Sequence, residues 1–226
     1  MPSRDPRSYR DRASAAPDSA AGSHRPYDAV LCDIDGVLRI WPPADHIERE
    51  NQLPRGALAA SAFAPARLQP AITGEITDGE WRAATAADIA VRFGSRQRAH
   101  AAVTAWSNLQ PRIDTEAVGL LRAARGNALV ALVSNGTTRL EQDLRRQGLH
   151  DLPDLLINSA RVGLTKPDPR LYLLATERLA VPPRRCLFVD DTEANVAAAR
   201  SVGMTAVHYR DVEDLRGALA GPPPHL

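Results

Sequence analysis

Short apolar runs alternate with helical segments along this chain, and this alternation limits its fold more than any other feature. Each run is continuous, which is typical of a strand that is buried on both faces. The runs lie at 29–32, 128–134, 155–157, 186–189 and 205–207. Because helical patterns separate them, the chain predicts βαβ units, and therefore an α/β fold with a mainly parallel sheet covered on both faces.

Capping residues mark where several of these helices begin and end. Asp114 is suited to cap a helix that stops at Gly126. Asp168, which a proline follows, opens another helix, because proline is favoured at the first helical position. Two more helical patterns end at Gly148 and Gly203. The helix starts and ends that these residues predict therefore agree with the spacing of the apolar runs.

Residues 42–113 interrupt the alternation. They contain no convincing strand but several helical stretches, one of which starts with a capping-box pattern at 77–80. We therefore expect an all-helical insertion after the first strand. Both ends of the chain have few large apolar side chains and are expected to be disordered. The expected organisation is a tail at 1–26, a core formed by 27–41 and 114–220, a helical insertion at 42–113 and a tail at 221–226.

The charges of the chain are balanced, with 28 Lys+Arg against 27 Asp+Glu and a formal net charge of +1. Without a basic field, we expect neither nucleic acid nor membrane as a partner. The longest apolar run is too short to span a bilayer, and the first residues lack the apolar region of a signal peptide. The two cysteines, Cys32 and Cys186, lie inside predicted strands rather than in a disulfide framework. These features together predict a cytoplasmic protein.

Acidic, hydroxyl and lysine side chains follow the predicted strands, and ligands of parallel sheets gather at these carboxyl ends. Like charges collected at one edge are costly unless a cation or phosphate chemistry uses them. Each segment alone has an ordinary explanation, as a turn, a helix cap or a surface lysine. Those explanations do not account for all four segments in this order. The segments are Asp33-Ile34-Asp35-Gly36-Val37, Ser134-Asn135-Gly136-Thr137, Gly163-Leu164-Thr165-Lys166-Pro167 and Asp190-Asp191.

The four segments together resemble the signature of the haloacid dehalogenase superfamily of phosphotransferases. The matching residues are DIDGV at 33–37, Ser134 in VSNG, Lys166 in LTKPDP and the pair 190–191 in FVDDTEANV. The resemblance covers nearly all of residues 27–212. It implies a Rossmann-like, doubly wound parallel sheet with a smaller all-helical cap domain of the superfamily's first type.

A finer resemblance is carried by GEITDGEW at 74–81, Trp106 and LVSNG at 132–136, which are similar to glucose-1-phosphate phosphatases and to the amino-terminal phosphatase domain of epoxide hydrolases. The cap of such enzymes selects the substrate. The tryptophans are more simply explained as helix-packing core. The segment at 41–43 either lines the mouth of the site or is a packed rigid turn. The candidate specificity residues are Trp81, Trp106, Arg82 and Glu75.

The resemblance implies one aspartate that acts as a nucleophile and another that moves protons. Asp33 would attack phosphorus and form an aspartyl-phosphate. Asp35 would protonate the departing alcohol and then activate the water that hydrolyses the intermediate. The implied cofactor is Mg²⁺, held by the Asp33 carboxylate, the Asp35 main-chain carbonyl and one carboxylate of the acidic pair. We favour Asp191 as that direct ligand, with Asp190 holding Lys166 or a water of the ion's shell.

The remaining site residues are expected to bind the phosphoryl group. By resemblance, Ser134 and the backbone amides of Asn135 and Gly136 would bind its oxygens. Lys166 would supply a compensating positive charge. Asn195 is expected to be structural, or to hold a ligand of the ion rather than the ion itself.

The sequence therefore predicts a Mg²⁺-dependent phosphatase that acts on a small phosphorylated metabolite, with a sugar phosphate as one candidate. Three alternatives stay open: a dehalogenase, a phosphomutase, and a catalytically idle protein that binds phosphate or a partner. The D-x-D motif and the acidic pair favour phosphate chemistry over dehalogenation, which needs no second acid. The protein is expected to be a monomer or a homodimer.

Overall fold

Strands and helices alternate in the computed structural model, which describes residues 26–220; apart from residue 26, the predicted tails at 1–26 and 221–226 lie outside the described residues. Five parallel strands form the main sheet in the order β5-β4-β1-β6-β7, and Leu31 of β1 lies beside Ala131 of β4 and Phe188 of β6. The predicted strands and the α/β fold are confirmed. The strands are β1 (Ala29–Cys32), β2 (Arg39–Ile40), β3 (Arg112–Ile113), β4 (Leu129–Ser134), β5 (Leu155–Asn158), β6 (Cys186–Asp190) and β7 (Thr205–His208).

The two short strands outside this sheet, β2 and β3, pair with each other. They are antiparallel, with Arg39 opposite Ile113 and Ile40 opposite Arg112. The expectation that residues 42–113 contain no strand was therefore wrong at their carboxyl end. Two residues are too few to show an alternating pattern, and only the pairing partner makes them a strand.

Helices cover both faces of the sheet and fill the insertion. They are α1 (Asp45–Glu50), α2 (Ala57–Ala62), α3 (Pro65–Ile72), α4 (Asp78–Phe93), α5 (Arg96–Ser107), α6 (Thr115–Ala124), α7 (Leu140–Arg146), α8 (Ser159–Val162), α9 (Pro169–Leu179), α10 (Glu193–Ser201) and α11 (Val212–Ala220). A short 3₁₀ turn, Pro183–Arg185, precedes β6. We refer to α1–α5 as the cap helices.

Alternate side chains of the central strand pack against different helix layers, as the two-residue period of a strand requires. On one face, Val30 and Cys32 pack with buried residues of α6, α7 and α11. On the other face, Ala29 and Leu31 pack with α9 and α10. All four residues of β1 are buried, as the continuous apolar run predicts.

The capping signals read from the sequence are present. The Asp114 and Asp168 side chains accept hydrogen bonds from the first turns of α6 and α9. At α4, the Thr77 hydroxyl accepts from the Glu80 N–H while the Glu80 carboxylate accepts from the Thr77 N–H, which confirms the capping box. These contacts fix where the helices begin within one or two residues of the predicted starts.

The cap helices build apolar clusters of their own. Leu58 of α2 and Ile89 of α4 lie in one cluster, and Ala62, Ala71 and Trp81 form a second. α3 lies against α8 of the core, and the chain just after α3 approaches it closely: a Cβ added to Gly74 would lie 2.1 Å from the Ala160 carbonyl oxygen. Within residues 26–220, no helix combines the length and the apolar composition needed to cross a membrane.

Candidate active site

Three neighbouring strands carry the predicted site residues to one edge of the sheet. Asp33 directly follows β1, Ser134 ends β4 and Asp190 ends β6. Since β4, β1 and β6 are adjacent and parallel, their carboxyl ends meet, and the sequence segments that follow them lie side by side. The predicted convergence of these segments is therefore found in the structure.

Lys166 joins two of the carboxylates. Its Nζ lies 2.7 Å from Asp33 Oδ1 and 2.6 Å from Asp190 Oδ2, and the side chain is buried. The Lys166 backbone is held by Asn135, whose side chain donates to the Lys166 carbonyl at 2.9 Å and accepts from its N–H at 2.8 Å. Two hydrogen bonds therefore hold the segment around Lys166 against the loop after β4.

The contact between Lys166 and the two carboxylates shifts the pKa values of Asp33 and Lys166. Burial raises the pKa of Asp33 to about 7, with Lys166 opposing that rise and Asp190 adding to it. Burial alone would lower the pKa of Lys166, but the two carboxylates outweigh it and the pKa is raised. The lysine is therefore held as a cation between two acids.

Three carboxylates form an oxygen cluster at the same edge. One oxygen each of Asp33, Asp190 and Asp191 lie within 4.8 Å of one another. Gly36 approaches this cluster so closely that an added Cβ would lie 2.0 Å from Asp191 Oδ2. An all-oxygen set of acidic donors suits Mg²⁺, and one lysine cannot neutralise three carboxylates. The residues present therefore fit the predicted ion.

Asp190 is occupied by protein donors on both oxygens. Oδ2 accepts from Lys166, whereas Oδ1 accepts from the Thr192 N–H and from Asn195 Nδ2, each at 2.9 Å. Asn195 therefore contacts an acidic residue of the cluster, which agrees with the supporting position expected for it. Asp191 is exposed, and its side chain lies against Gly36.

The Asp35 carboxylate is held by two residues that follow it in the chain. Its two oxygens accept from Arg39 Nε and NH2 at 2.9 and 2.8 Å, and Oδ1 also accepts from Trp41 Nε1 at 2.6 Å. Sequence reasoning missed Arg39, which is buried. The available signal was its position four residues after Asp35 in the tight turn that Gly36 opens.

A cavity of about 500 Å³ runs from this edge of the sheet to the cap helices. We call it the cap cavity. Asp35, Asn135 and Gly136 line its core end. Of the candidate specificity residues, Trp81, Trp106 and Arg82 line the cavity, whereas Glu75 lies outside its lining and is hydrogen-bonded to Thr73. Trp41 also lines the cavity, so the 41–43 segment is part of its mouth.

The first turn of α4 is hydrogen-bonded to the loop after β4. Asp78 Oδ1 accepts from the Thr137 hydroxyl at 2.8 Å, and the Asp78 N–H donates to Thr138 Oγ1 at 2.9 Å. Arg139, one residue further on, donates to the Ser107 carbonyl at the end of α5. These contacts between cap and core were not anticipated from the sequence.

Comparisons with known proteins agree with this geometry. Residues 27–203 match the haloacid dehalogenase-like hydrolase family. The pyrimidine 5′-nucleotidase YjjG of Escherichia coli is 38% identical over 102 residues, which cover 42% of this chain and 45% of that protein. Bifunctional epoxide hydrolase 2 of Sus scrofa is 28% identical over 207 residues, covering 82% of this chain and 37% of that protein. The chain thus spans less than half the length of these curated relatives.

Solved structures share the fold. A haloacid dehalogenase family enzyme of Bacteroides thetaiotaomicron, crystallised with magnesium and inorganic phosphate, superimposes with a TM-score of 0.64 at 22% identity, covering 80% of this chain and 92% of that one. The L-2-haloacid dehalogenase of Xanthobacter autotrophicus superimposes with a TM-score of 0.57 at 22% identity, covering 88% and 85%. At this identity the likeness concerns the fold alone.

Proposed function

Since the chain belongs to the haloacid dehalogenase-like hydrolase family, we propose that it is a Mg²⁺-dependent phosphatase that hydrolyses a small phosphomonoester through an aspartyl-phosphate on Asp33. The observation that carries the proposal is the contact of Lys166 with both Asp33 and Asp190. The carboxylate proposed as nucleophile contacts the lysine, and the backbone of that lysine is hydrogen-bonded to Asn135 in the loop that follows Ser134. The nucleotidase relative and the neighbour crystallised with magnesium and phosphate support this chemistry.

In the first step, an oxygen of Asp33 forms a bond to phosphorus while the bond from phosphorus to the leaving oxygen breaks. Asp35 lines the cap cavity and gives the departing alkoxide the proton that it takes from water in the second step; as a proton donor it releases one oxygen from the Arg39 pair. The Ser134 hydroxyl and the Asn135 and Gly136 amides donate to phosphoryl oxygens. Lys166 balances the charge on Asp33 and Asp190, because both are within hydrogen-bond distance of its Nζ.

In the second step, water attacks the phosphorus of the aspartyl-phosphate. Asp35 takes a proton from that water, and the bond between phosphorus and Asp33 breaks to release inorganic phosphate. When bound by Asp33, Asp191 and the Asp35 carbonyl, Mg²⁺ supplies positive charge that offsets the clustered carboxylates and the phosphate. Asp190, already occupied by Lys166, Thr192 and Asn195, keeps the lysine in place.

The position of Asp35 favours phosphate esters over halogenated acids. A halide leaves carbon as a stable anion and needs no proton, whereas an alkoxide that leaves phosphorus does. A carboxylate held at the cavity wall by Arg39 and Trp41 therefore has a role in ester hydrolysis and none in halide displacement.

The test uses two variants of the first motif and an activated ester, 4-nitrophenyl phosphate, with Mg²⁺. Asp33→Asn should abolish both turnover and phosphoenzyme. Asp35→Asn should slow both steps, and with a good leaving group it should slow the second step more. Phosphorylated Asp33 should then accumulate and appear as a phosphate-sized mass increase on its peptide.

Four results would overturn the proposal. The first is no release of phosphate from any ester of a broad panel with Mg²⁺ present. The second is full activity after treatment with EDTA. The third is release of halide from 2-haloacids with no phosphatase activity, which would establish a dehalogenase instead. Transfer of phosphate between two positions of one sugar, without free phosphate, would indicate a phosphomutase.

A further inference from the structure

The far wall of the cap cavity is aromatic. Phe63, Trp81 and Trp106 form a cluster in which ring centroids are 5.4 to 6.3 Å apart, two of the three pairs in edge-to-face contact. Phe63 nevertheless stays 52% exposed, and Trp41 at the mouth is 40% exposed. Large apolar side chains left open beside a cavity lose contact with water when an apolar ligand enters. Aliphatic side chains complete this wall: Leu58, Leu68, Ile72 and Leu109.

The charged side chain beside this cluster is held by protein partners. Arg82 donates from Nε to Asp78 Oδ2 at 2.7 Å and from Nη1 to the Ser107 hydroxyl at 2.8 Å. Its guanidinium lies 5.3 and 4.9 Å from the Trp81 and Trp106 ring centroids. The arginine therefore stacks on the two rings while its ion pair with Asp78 fixes its position.

The remaining charged side chains of the lining are paired in the same way. The Glu48 carboxylate accepts from the N–H groups of Gly56 and Leu58. Arg139 donates to Asp143, and Asp45 pairs with Arg55. With the Asp35–Arg39 pair already described, each charged side chain that lines the cavity has a protein partner. Few polar groups are left to bind the hydroxyls of a substrate.

From this lining we propose that the preferred substrate is the phosphomonoester of an aromatic alcohol rather than a sugar phosphate. The inference rests on the phosphatase activity proposed above and adds the class of its leaving group. The phosphate would lie at Asn135 and Gly136, and the aryl group would extend toward Phe63, Trp81 and Trp106. An aromatic ring gains edge-to-face contacts there. A sugar would bury hydroxyl groups that lack partners, which is unfavourable.

The test compares kcat/KM for 2-phenylethyl phosphate, ethyl phosphate and glucose 6-phosphate. We expect kcat/KM for 2-phenylethyl phosphate to exceed that for glucose 6-phosphate by about tenfold or more, a range that a single apolar pocket can supply. Phe63→Asn should lower the ratio of kcat/KM for 2-phenylethyl phosphate to that for ethyl phosphate by about three- to tenfold. Val91→Asn is the matched control, because Val91 is 85% exposed on α4 and lies outside the cavity lining. It should leave the ratio unchanged.

A second measurement does not depend on catalysis. Naphthylmethylphosphonate, whose phosphorus–carbon bond resists hydrolysis, should quench the tryptophan fluorescence of the full chain with Mg²⁺ and bind more tightly than methylphosphonate. Phe63→Asn should reduce that difference, and Val91→Asn should not.

The outcomes separate this inference from the proposed activity. A higher kcat/KM for glucose 6-phosphate than for 2-phenylethyl phosphate would contradict the aromatic preference but would leave the proposed phosphatase activity supported. If no ester is hydrolysed, the proposed phosphatase activity is wrong, and the phosphonate titration alone tests the aromatic site. Equal affinity for naphthylmethylphosphonate and methylphosphonate would then overturn the aromatic site.

Discussion

At the scale of single residues, Gly36 connects the first motif to the last. Its φ of +86° is a conformation that favours glycine, and a Cβ there would lie 2.0 Å from Asp191 Oδ2. The missing side chain therefore makes room for the carboxylate that we propose as a direct ligand of Mg²⁺. The position of Asp191 depends on this glycine as much as on its own backbone.

Gly36→Ala should weaken Mg²⁺ binding, because the new methyl group would displace Asp191. We expect the Mg²⁺ concentration for half-maximal activity to rise about tenfold or more, the effect usual for a disturbed support of a metal ligand. Gly56→Ala is the matched control: its φ is +81°, but an added Cβ would meet nothing within 4 Å. Both variants should lose about 1–2 kcal/mol of stability from backbone strain. An equal Mg²⁺ requirement in the two variants would contradict the crowding argument.

At the scale of elements, the turn between β1 and β2 holds Asp35, the residue that we propose for proton transfer. Arg39 begins β2 and Trp41 follows it, and both side chains donate to Asp35. The pairing of β2 with β3 fixes the turn at the point where the chain enters and leaves the cap helices. The element thus links the orientation of Asp35 to the position of the cap.

Trp41→Phe keeps a ring at the cavity mouth but removes the hydrogen bond to Asp35. For an alkyl ester, whose leaving group needs a proton, we expect kcat to fall about three- to tenfold, in line with one lost hydrogen bond. For 4-nitrophenyl phosphate the fall should be smaller. In an Asp35→Asn background the same substitution should have little further effect. Equal losses for both esters would show that Trp41 does not act through Asp35.

The contact between α4 and the loop after β4 joins the cap helices to the residues that we propose to bind phosphate. Thr137 follows Gly136 directly, and its hydroxyl donates to Asp78; Thr137→Val removes this hydroxyl. We expect KM to rise about three- to tenfold with little change in kcat, in line with one lost hydrogen bond. Thr176→Val is the control, because the Thr176 hydroxyl donates within α9, to the Leu173 carbonyl. A change in stability without a change in KM would assign Thr137 a structural role only.

At the scale of the whole molecule, the proposed metal site should link Mg²⁺ binding to folding stability. The three clustered carboxylates repel one another, and only the native state brings them together. At a Mg²⁺ concentration of about 100 times Kd, binding should add about 2.7 kcal/mol to the free energy of unfolding. For a domain of this size that corresponds to a rise in Tm of about 5–11 °C.

Thermal unfolding followed by circular dichroism, with and without Mg²⁺, measures this rise. NaCl at matched ionic strength should reproduce little of it, and Asp191→Asn should reduce it. A shift of the same size in NaCl would mean that general screening, and not a bound ion, stabilises the fold.

Local patterns in the sequence predicted much of the fold. A buried strand depends on a few consecutive apolar residues, and a helix start depends on one capping side chain within the first turn. For that reason β1 and the caps at Asp114, Asp168 and Thr77 lie where the sequence indicated. The convergence of Asp33, Ser134 and Asp190 also followed from the order of strand ends in a parallel sheet, whereas Lys166 comes after α8 and not directly after a strand.

Only the tertiary structure decided the contacts between segments that are far apart in the chain. Thr137 meets Asp78 across 59 residues, and β3 exists because Arg112–Ile113 pairs with β2. No periodicity or motif encodes such contacts, since they depend on how the cap helices pack on the sheet. The shape and lining of the cap cavity have the same origin. The candidate residues for the proposed chemistry could therefore be predicted from the sequence, whereas the surface that we propose for the leaving group required the fold.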